Sequence, residues 1–344
     1  MRPLQGVVQH YEWGDERAIP NFLGVSPDSR PWAELWFGTH RGGPSLVRDD
    51  TGLVPLSQHV GDLTFLVKVI AAARPLSLQT HPDDARAVTG YRAEDASGVP
   101  IDAPQRIYRD QSAKPELLVA LTPFEAICGF RDPADSLADC RANGWDELGD
   151  RLERDGLAEC VRWALADGPH RLPATLPAWA AQLADAYPEH GGVLVALLMH
   201  HVVLQPGEAL FLGAGNVHAY LSGTGLEVMA SSDNVVRAAF TRKHVDVDEF
   251  LAIAALSASA PPVIHADHGP NGRSTFSLPI PHFGLERIDV DGRATIGPAR
   301  GPEMLVCTDG DAGLLARGQA GILCEGDTAE LHGVATVFRA WGRY

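Results

Sequence analysis

Residues 204–237, LQPGEALFLGAGNVHAYLSGTGLEVMASSDNVVR, constrain the fold more than any other part of this chain. Residues 205–208 read as a turn, 209–212 as a strand, and Gly213, Gly215 and Asn216 as a glycine-rich corner. His218 follows on an alternating strand and shares a face with Tyr220, because successive side chains point to opposite sides. Glu227 is expected on a further strand over 226–229. A turn at 231–234 then precedes 235–240, where Arg237 is the only charge among apolar residues. A guanidinium cannot shed its charge, so Arg237 should face a carboxylate or an anionic ligand. A histidine at such a corner needs partners, and the chain supplies them upstream.

Residues 63–73, LTFLVKVIAAA, form a nearly unbroken apolar strand with one cation, Lys68, which must meet an anion or snorkel to solvent. In the next stretch Ser77, Gln79 and His81 alternate with apolar residues and so line one face. Residues 83–90 have a helical composition and 91–109 read as a polar excursion. Residues 110–121 return as a strand that puts Lys114 and Glu116 on one face, either as a surface ion pair or as a carboxylate ligand beside an ammonium. Metal-ligand residue types thus come from three separated segments, which points to a metal site inside a β-barrel. Before them, 31–40 (PWAELWFGTH) read as a buried strand entering a turn, with Trp32 and Trp36 in the core and Glu34 and His40 unassigned.

The other segments set the boundaries. Residues 132–200 are rich in Ala, Leu, Asp and Arg, with apolar residues recurring at three and four. They predict a helical insertion with segments near 134–142, 145–165, 179–187 and 192–200, punctuated by prolines that include Pro169. His200 and His201 are adjacent, point in different directions and read as structural or exposed. After residues 241–251, which lead into a helix rich in Ala and Leu, the residues 261–344 carry short apolar runs at 303–306, 313–316, 321–325 and 335–341, which read as strands of a smaller barrel without metal spacing. The expected organisation is a catalytic barrel over 1–131 and 201–260, a helical domain over 132–200, and a β domain over 261–344.

Among the 344 residues, 45% are hydrophobic and 21% charged, enough for a sizeable core. The formal net charge of -16 argues against a sequence-independent grip on nucleic acid or on an anionic membrane, so an anionic substrate needs a locally basic pocket. No apolar run approaches the roughly 20 residues that span a bilayer, and the N-terminus lacks a secretory pattern. The five cysteines include no C-x-x-C pair and read as buried thiols of a cytoplasmic chain.

The segments LTFLVKVIAAARPLSLQTHPD, KPELLVALTPFEAICGF and LQPGEALFLGAGNVHAYLSGTGLEVMASSDNVVRAAFTRKHVDV, with YEWG and AELWFGTH before them, closely resemble the type I phosphomannose isomerases, the zinc-dependent mannose-6-phosphate isomerases. The resemblance covers most of the chain from Leu4 to about Phe250. It implies a mainly β protein: a cupin-type jelly-roll barrel, an α-helical domain inserted in it, and a second, smaller cupin-like barrel. It also implies one Zn2+ per chain at Gln79, His81, Glu116 and His218, with Arg237 at the arginine of the family's active site. Lys114 matches the lysine of the family's His-Lys-Pro-Glu motif, but Ala113 replaces its histidine, and Gly213 stands where proline is usual.

The reaction implied is the interconversion of mannose 6-phosphate and fructose 6-phosphate through a metal-stabilised enediol, with Arg237 supporting the enediolate. Lys114 is the favoured proton-transfer residue over Glu227, His81 or a metal-bound water. Ser77, Lys68, Lys243 and Glu227 are expected to contact the sugar phosphate. A monomer with no nucleic-acid or membrane partner is expected. The alternatives are a nonenzymatic sugar-phosphate-binding cupin and another metal-dependent cupin enzyme.

Overall fold

A computed structural model describes the chain apart from residues 51, 167–169, 189 and 343–344. Pro169, expected to punctuate the helices, and the last residues of the 261–344 segment lie outside the described residues. The protein is mainly β, built on two antiparallel sheets. The larger runs Val263–Ile264, Ala209–Leu212, Glu116–Ala120, His218–Ala230, Phe65–Ala72, Glu34–Phe37 and Val7–Gln9, with Phe124–Phe130, Met199–Leu204, Leu78–Thr80 and Val236–Ala239 joined to it. The second sheet contains Phe283–Ile296, Glu303–Asp311, Ala320–Leu323 and Ala329–Gly342. It also takes in Arg2–Gln5, Leu46–Asp49 and Gly52–Pro55 from the start of the chain.

Period-two alternation decides which side chains meet. In Phe65–Ala72, Phe65, Val67, Val69 and Ala71 pack into the core between the sheets, against Leu285, Met304, Ile322 and Phe338. That leaves Leu66, Lys68 and Ile70 on the opposite, inner face. The same parity sends Leu117 and Val119 outward and Glu116 inward, and it sends Leu35 and Phe37 outward and Glu34 and Trp36 inward. Every residue of Phe65–Ala72 is buried because both faces are covered, so an apolar run hides an inward row that includes a lysine.

The long strand His218–Ala230 does two jobs. Its first part pairs with Phe124–Phe130, and from Gly223 onward it pairs with Phe65–Ala72 and Glu116–Ala120. The register shifts between Tyr220 and Ser222, a bulge that bends one sheet half onto the other. The expected separate strand at 226–229 is therefore the far end of the strand that carries His218. Gly223 has φ 117°, and a Cβ there would lie 2.6 Å from the Pro123 carbonyl oxygen.

The helical insertion comprises Pro133–Asn143, Asp146–Leu165, Ala178–Ala186 and Gly192–Leu197. Asp132 caps the first helix by accepting from the Ala134 amide, and Gly144 ends it in the left-handed conformation. Leu148, Leu152, Val161 and Leu183 bury their faces against Leu78, Ile127, Val217, Ala219 and Val236 on the outside of the barrel.

Three local expectations are corrected. His200 lies on the strand Met199–Leu204, where the edge of Phe124–Phe130 demands pairing, and not at a helix end. Part of the supposed excursion at 91–109 continues the helix Asp84–Ala96, whose cap is Asp83 accepting from Arg86. Residues 313–316 turn a hairpin instead of forming a strand, with Gly313 at φ 76°. The strand Phe283–Ile296 escapes sequence reading because its second half is polar and exposed.

Because Gly223 is where the site-bearing strand changes partners, Gly223→Ala should destabilise the fold by about 2–3 kcal/mol through overpacking and positive-φ strain. A fall in Tm of several degrees by thermal unfolding is the expected result.

Candidate active site

The inner face of the larger sheet gathers Glu34, Lys68, Gln79, Glu116, His218, Tyr220 and Glu227. Two backbone devices bring His81 into the same space. The Gly215 amide, in the glycine-rich corner, donates to the His81 carbonyl at 2.9 Å, and Gly215 itself needs φ 77°. Backbone pairing sets His218 opposite Gln79, with Gln79 in turn opposite Arg237 on Val236–Ala239. Gly213, by contrast, has ordinary space: a Cβ there would lie 3.6 Å from the Phe211 ring. The departure from proline at that position therefore leaves the corner intact.

His81, Glu116 and His218 are buried, and their ligating atoms all lie within 4.8 Å of one another. His81 Nε2 is 3.4 Å from Glu116 Oε1, and His218 Nε2 is 3.6 Å from Glu116 Oε2. His81 Nδ1 lies 2.9 Å from the Asn234 carbonyl and His218 Nδ1 lies 3.0 Å from the Asn216 carbonyl. A carbonyl only accepts, so both rings carry the proton on Nδ1 and turn an Nε2 lone pair inward. His81 Nε2 is buried with no hydrogen-bond partner. Lone pairs and a carboxylate facing one another repel unless a cation sits among them, so these residues fit a divalent metal. Gln79 completes the set after one adjustment. As placed, its Oε1 accepts from Ser77 at 2.9 Å and its amide nitrogen faces His218 Nε2 at 3.4 Å. Turning the amide over presents oxygen to the centre, and the Ser77 hydroxyl can then accept in place of donating.

Electrostatics fit the same reading. Burial, then the neighbouring His81, pushes the His218 imidazole down to about 4, and burial also lowers His81. Both imidazoles are therefore neutral at pH 7, the form in which a histidine can bind a metal. Burial alone would raise Glu116, but the Lys114 ammonium at 2.8 Å and the two imidazoles hold it well below the ordinary carboxylate range. The Lys114–Glu116 pair is fully inside the protein, not on its surface.

Lys68 is matched by two carboxylates, Glu34 at 3.7 Å and Glu227 at 3.4 Å. Glu227 also accepts from the Tyr220 hydroxyl at 3.0 Å, and burial together with Glu116 raises it to about 7. Of the two partners expected for Arg237, a carboxylate is not found within ion-pair distance among the described residues, which leaves an anionic ligand. Burial lowers the pKa of Arg237, and the nearby Arg109 adds to the effect. Lys243 is depressed in the same way by desolvation and by Arg237. These cations form a basic pole with no carboxylate within ion-pair distance among the described residues, Glu34 acting on Lys243 only from farther off.

Several contributors escaped sequence reading. Asn234 holds His81 by its carbonyl, while its side chain bonds the backbone of Arg109, Asp110 and Ser112. His40 Nε2 lies 3.1 Å from Asp233 Oδ1; burial raises Asp233, but His40 together with Lys114 and Arg41 brings it down to about 2. The Ser-Ser-Asp-Asn turn was the available signal for both. His201 has no part in the site, since it bonds Glu125 at 2.7 Å and stacks on Trp179.

Residues 1–133 match the model of the phosphomannose isomerase type I catalytic domain. The mannose-6-phosphate isomerase of Escherichia coli (strain K12) is 33% identical over 367 residues, covering 96% of this chain and 94% of that one. The mannose-6-phosphate isomerase of Shigella flexneri is 32% identical over 375 residues, with the same coverage, 96% and 94%. A crystal structure of mannose 6-phosphate isomerase from Salmonella typhimurium bound to its substrate fructose 6-phosphate and to zinc superposes with a TM-score of 0.91 at 27% identity, covering 100% of both chains. Identity of this size, sustained along nearly the full length of both sequences and on the same backbone course, makes this chain a member of the mannose-6-phosphate isomerase family.

Proposed function

We propose that this chain interconverts mannose 6-phosphate and fructose 6-phosphate as a zinc-dependent aldose–ketose isomerase, with Gln79, His81, Glu116 and His218 holding the metal. The observation that carries this reading is the partnerless Nε2 of buried His81 facing Glu116 and His218 beside that basic pole. Bound zinc would supply Lewis acidity toward the sugar oxygens on which charge develops.

The remaining chemistry belongs to the side chains. Arg237 and Lys243 attract the phosphate, and Arg237, unable to lose its proton, also favours negative charge on the enediolate. Lys114, held beside Glu116, donates to a substrate oxygen. Glu227, raised toward neutrality, takes the proton that moves between C2 and C1, because a carboxylate near pH 7 both accepts and returns a proton readily. Lys68 orients Glu227 with Tyr220, its charge already answered by two carboxylates, and Ser77 steadies Gln79.

The proposed organisation is a site-bearing barrel over 1–131 and 201–260, the helical domain 132–200 and the β domain 261–344. Three strands from the first 55 residues pair in the sheet of the last domain. The proposed state is a monomer in the cytoplasm, without nucleic-acid or membrane partners. The largest exposed apolar side chains, Val25, Leu53, Val203, Leu314 and Val334, come from separate segments, the cysteines are all free, and the net charge is -16. No helix among the described residues is long and apolar enough to cross a membrane.

Purified protein should convert mannose 6-phosphate to fructose 6-phosphate, lose that activity on chelation and regain it with zinc. A fully zinc-loaded, folded protein without turnover would sink the proposal. Arg237→Ala should lower kcat/KM by about 10²–10³ while zinc content stays near one per chain; zinc loss would instead make Arg237 structural. Glu227→Gln should cost roughly 10²-fold or more in kcat. It should also remove the acid limb of the kcat/KM–pH profile, which a nearby dication places between the ordinary carboxylate range and about 7.

Zinc retention gives a separate check. His218 has a folded pKa of about 4, below the ordinary imidazole value, so the native chain binds fewer protons than the unfolded chain between the two. Stability of the metal-free protein should therefore rise with pH across that window and fall as pH drops. Metal content after dialysis should hold to about pH 5 and decline toward pH 4, whereas loss centred near pH 6.5 would contradict the buried neutral imidazole.

A further inference from the structure

The turn that begins at Tyr11 is unusually well fixed for a surface segment. The Gly14 amide donates to the Tyr11 carbonyl, the Ala73 and Arg74 amides donate to the Trp13 carbonyl, and the Asp15 amide donates to Ala71. Gly14 is required by close approach, because a Cβ there would lie 2.5 Å from the Ala33 amide nitrogen. Trp13 packs against the barrel cluster that contains Ile70 and Tyr220, and Tyr11 stacks on Trp13 with ring centroids 5.8 Å apart. Backbone and packing thus hold the Tyr11 ring in one place.

Over that ring, 5.4 Å from its centroid, lies the Lys243 ammonium. Lys243 is exposed at the mouth of the site, on the loop that leaves Phe240. Arg237, Arg109 and Lys114 all repel it, Glu34 attracts it only from beyond ion-pair distance, and among the described residues no carboxylate lies within that distance. An ammonium on a flexible stem, pushed by three cations, would swing into water without a partner. An aromatic face attracts it without neutralising it, whereas a carboxylate in that place would compete with an incoming anion.

We infer that Tyr11 is a positioning residue for the substrate phosphate: its ring face holds the Lys243 ammonium beside Arg237 while leaving that charge available to the dianion. The inference rests on the reading of Lys243 and Arg237 as the phosphate pole. It assigns a role to the N-terminal Tyr-Glu-Trp-Gly turn, which the metal chemistry leaves unused.

The test compares zinc-loaded Tyr11→Leu, Tyr11→Phe, Lys243→Ala and the Tyr11→Leu/Lys243→Ala double variant. The readouts are KM for mannose 6-phosphate, kcat, and the inhibition constant of inorganic phosphate. Tyr11→Leu should raise KM and the phosphate inhibition constant together by about five-fold, with kcat changed by less than about two-fold. Tyr11→Phe should restore both constants, since the face and not the hydroxyl is what acts. The double variant should be no worse than Lys243→Ala, as expected when one residue works through the other. If Lys243→Ala raises KM while Tyr11→Leu leaves it unchanged, or if the two effects add, the role of Tyr11 is overturned and the phosphate pole stands. If Lys243→Ala changes neither constant, the pole itself is wrong and the inference falls with it. Zinc content and Tm identify a variant that has lost its fold, and Tyr11→Met then replaces Tyr11→Leu as the non-aromatic comparison.

Discussion

A carboxylate kept ionised inside a protein is costly unless other charges surround it, and Glu116 is the group on which this architecture turns. Lys114 lies 2.8 Å from it and two imidazoles face its two oxygens, so the cost of burial is offset only when three separate segments deliver their side chains together. Each is delivered by a different device: strand parity for Glu116, a glycine corner for His218, a backbone bond to Gly215 for His81. Removing Lys114 would leave a buried anion without its nearest cation. Removing a histidine would leave it without a metal partner.

Around that centre the charges are arranged in two unlike halves. On one side Lys68 is enclosed by Glu34 and Glu227, so its charge orients acids and attracts little else. On the other, among the described residues no carboxylate lies within ion-pair distance of Arg237 or Lys243, and their pKa values are lowered first by burial and then by the like charges beside them. A substrate with a phosphate at one end and a reacting carbonyl at the other has only one direction in which to bind such a site. With the phosphate at the basic pole, as proposed, the polarity of the pocket would fix the orientation that the chemistry requires.

Much of this was legible in the sequence, and the reasons differ by residue. Gln79, His81, Glu116 and His218 were readable because period-two alternation and a glycine corner place them, and because the ordered motifs resemble a family. Lys68 was visible as a lone cation but its partners were not, since Glu34 and Glu227 lie 34 and 159 residues away along the chain and only sheet pairing unites them. Arg237 was expected to face a carboxylate or an anionic ligand, and the pattern of a single strand could not choose between them, because it says nothing about what stands across a barrel; the neighbour found there is another cation, Arg109. Asn234 and Asp233 were passed over as turn residues, their usual employment. The strand Phe283–Ile296 was missed because its second half is an exposed polar ribbon that carries no apolar period.

The pairing of Arg2–Gln5 with Ala320–Leu323 has a consequence for how this protein is made. A ribosome adding roughly 5–20 residues per second exposes the first strand long before its neighbour exists, so for tens of seconds that edge has no permanent partner. The site-bearing barrel draws its strands from the first 264 residues and can close earlier, yet its outer face, rich in Phe65, Val67 and Leu117, stays uncovered until the last strands arrive. In a crowded cell this interval is when a chaperone would find most to hold. Shortening the C-terminal sheet would then harm yield before it harmed catalysis.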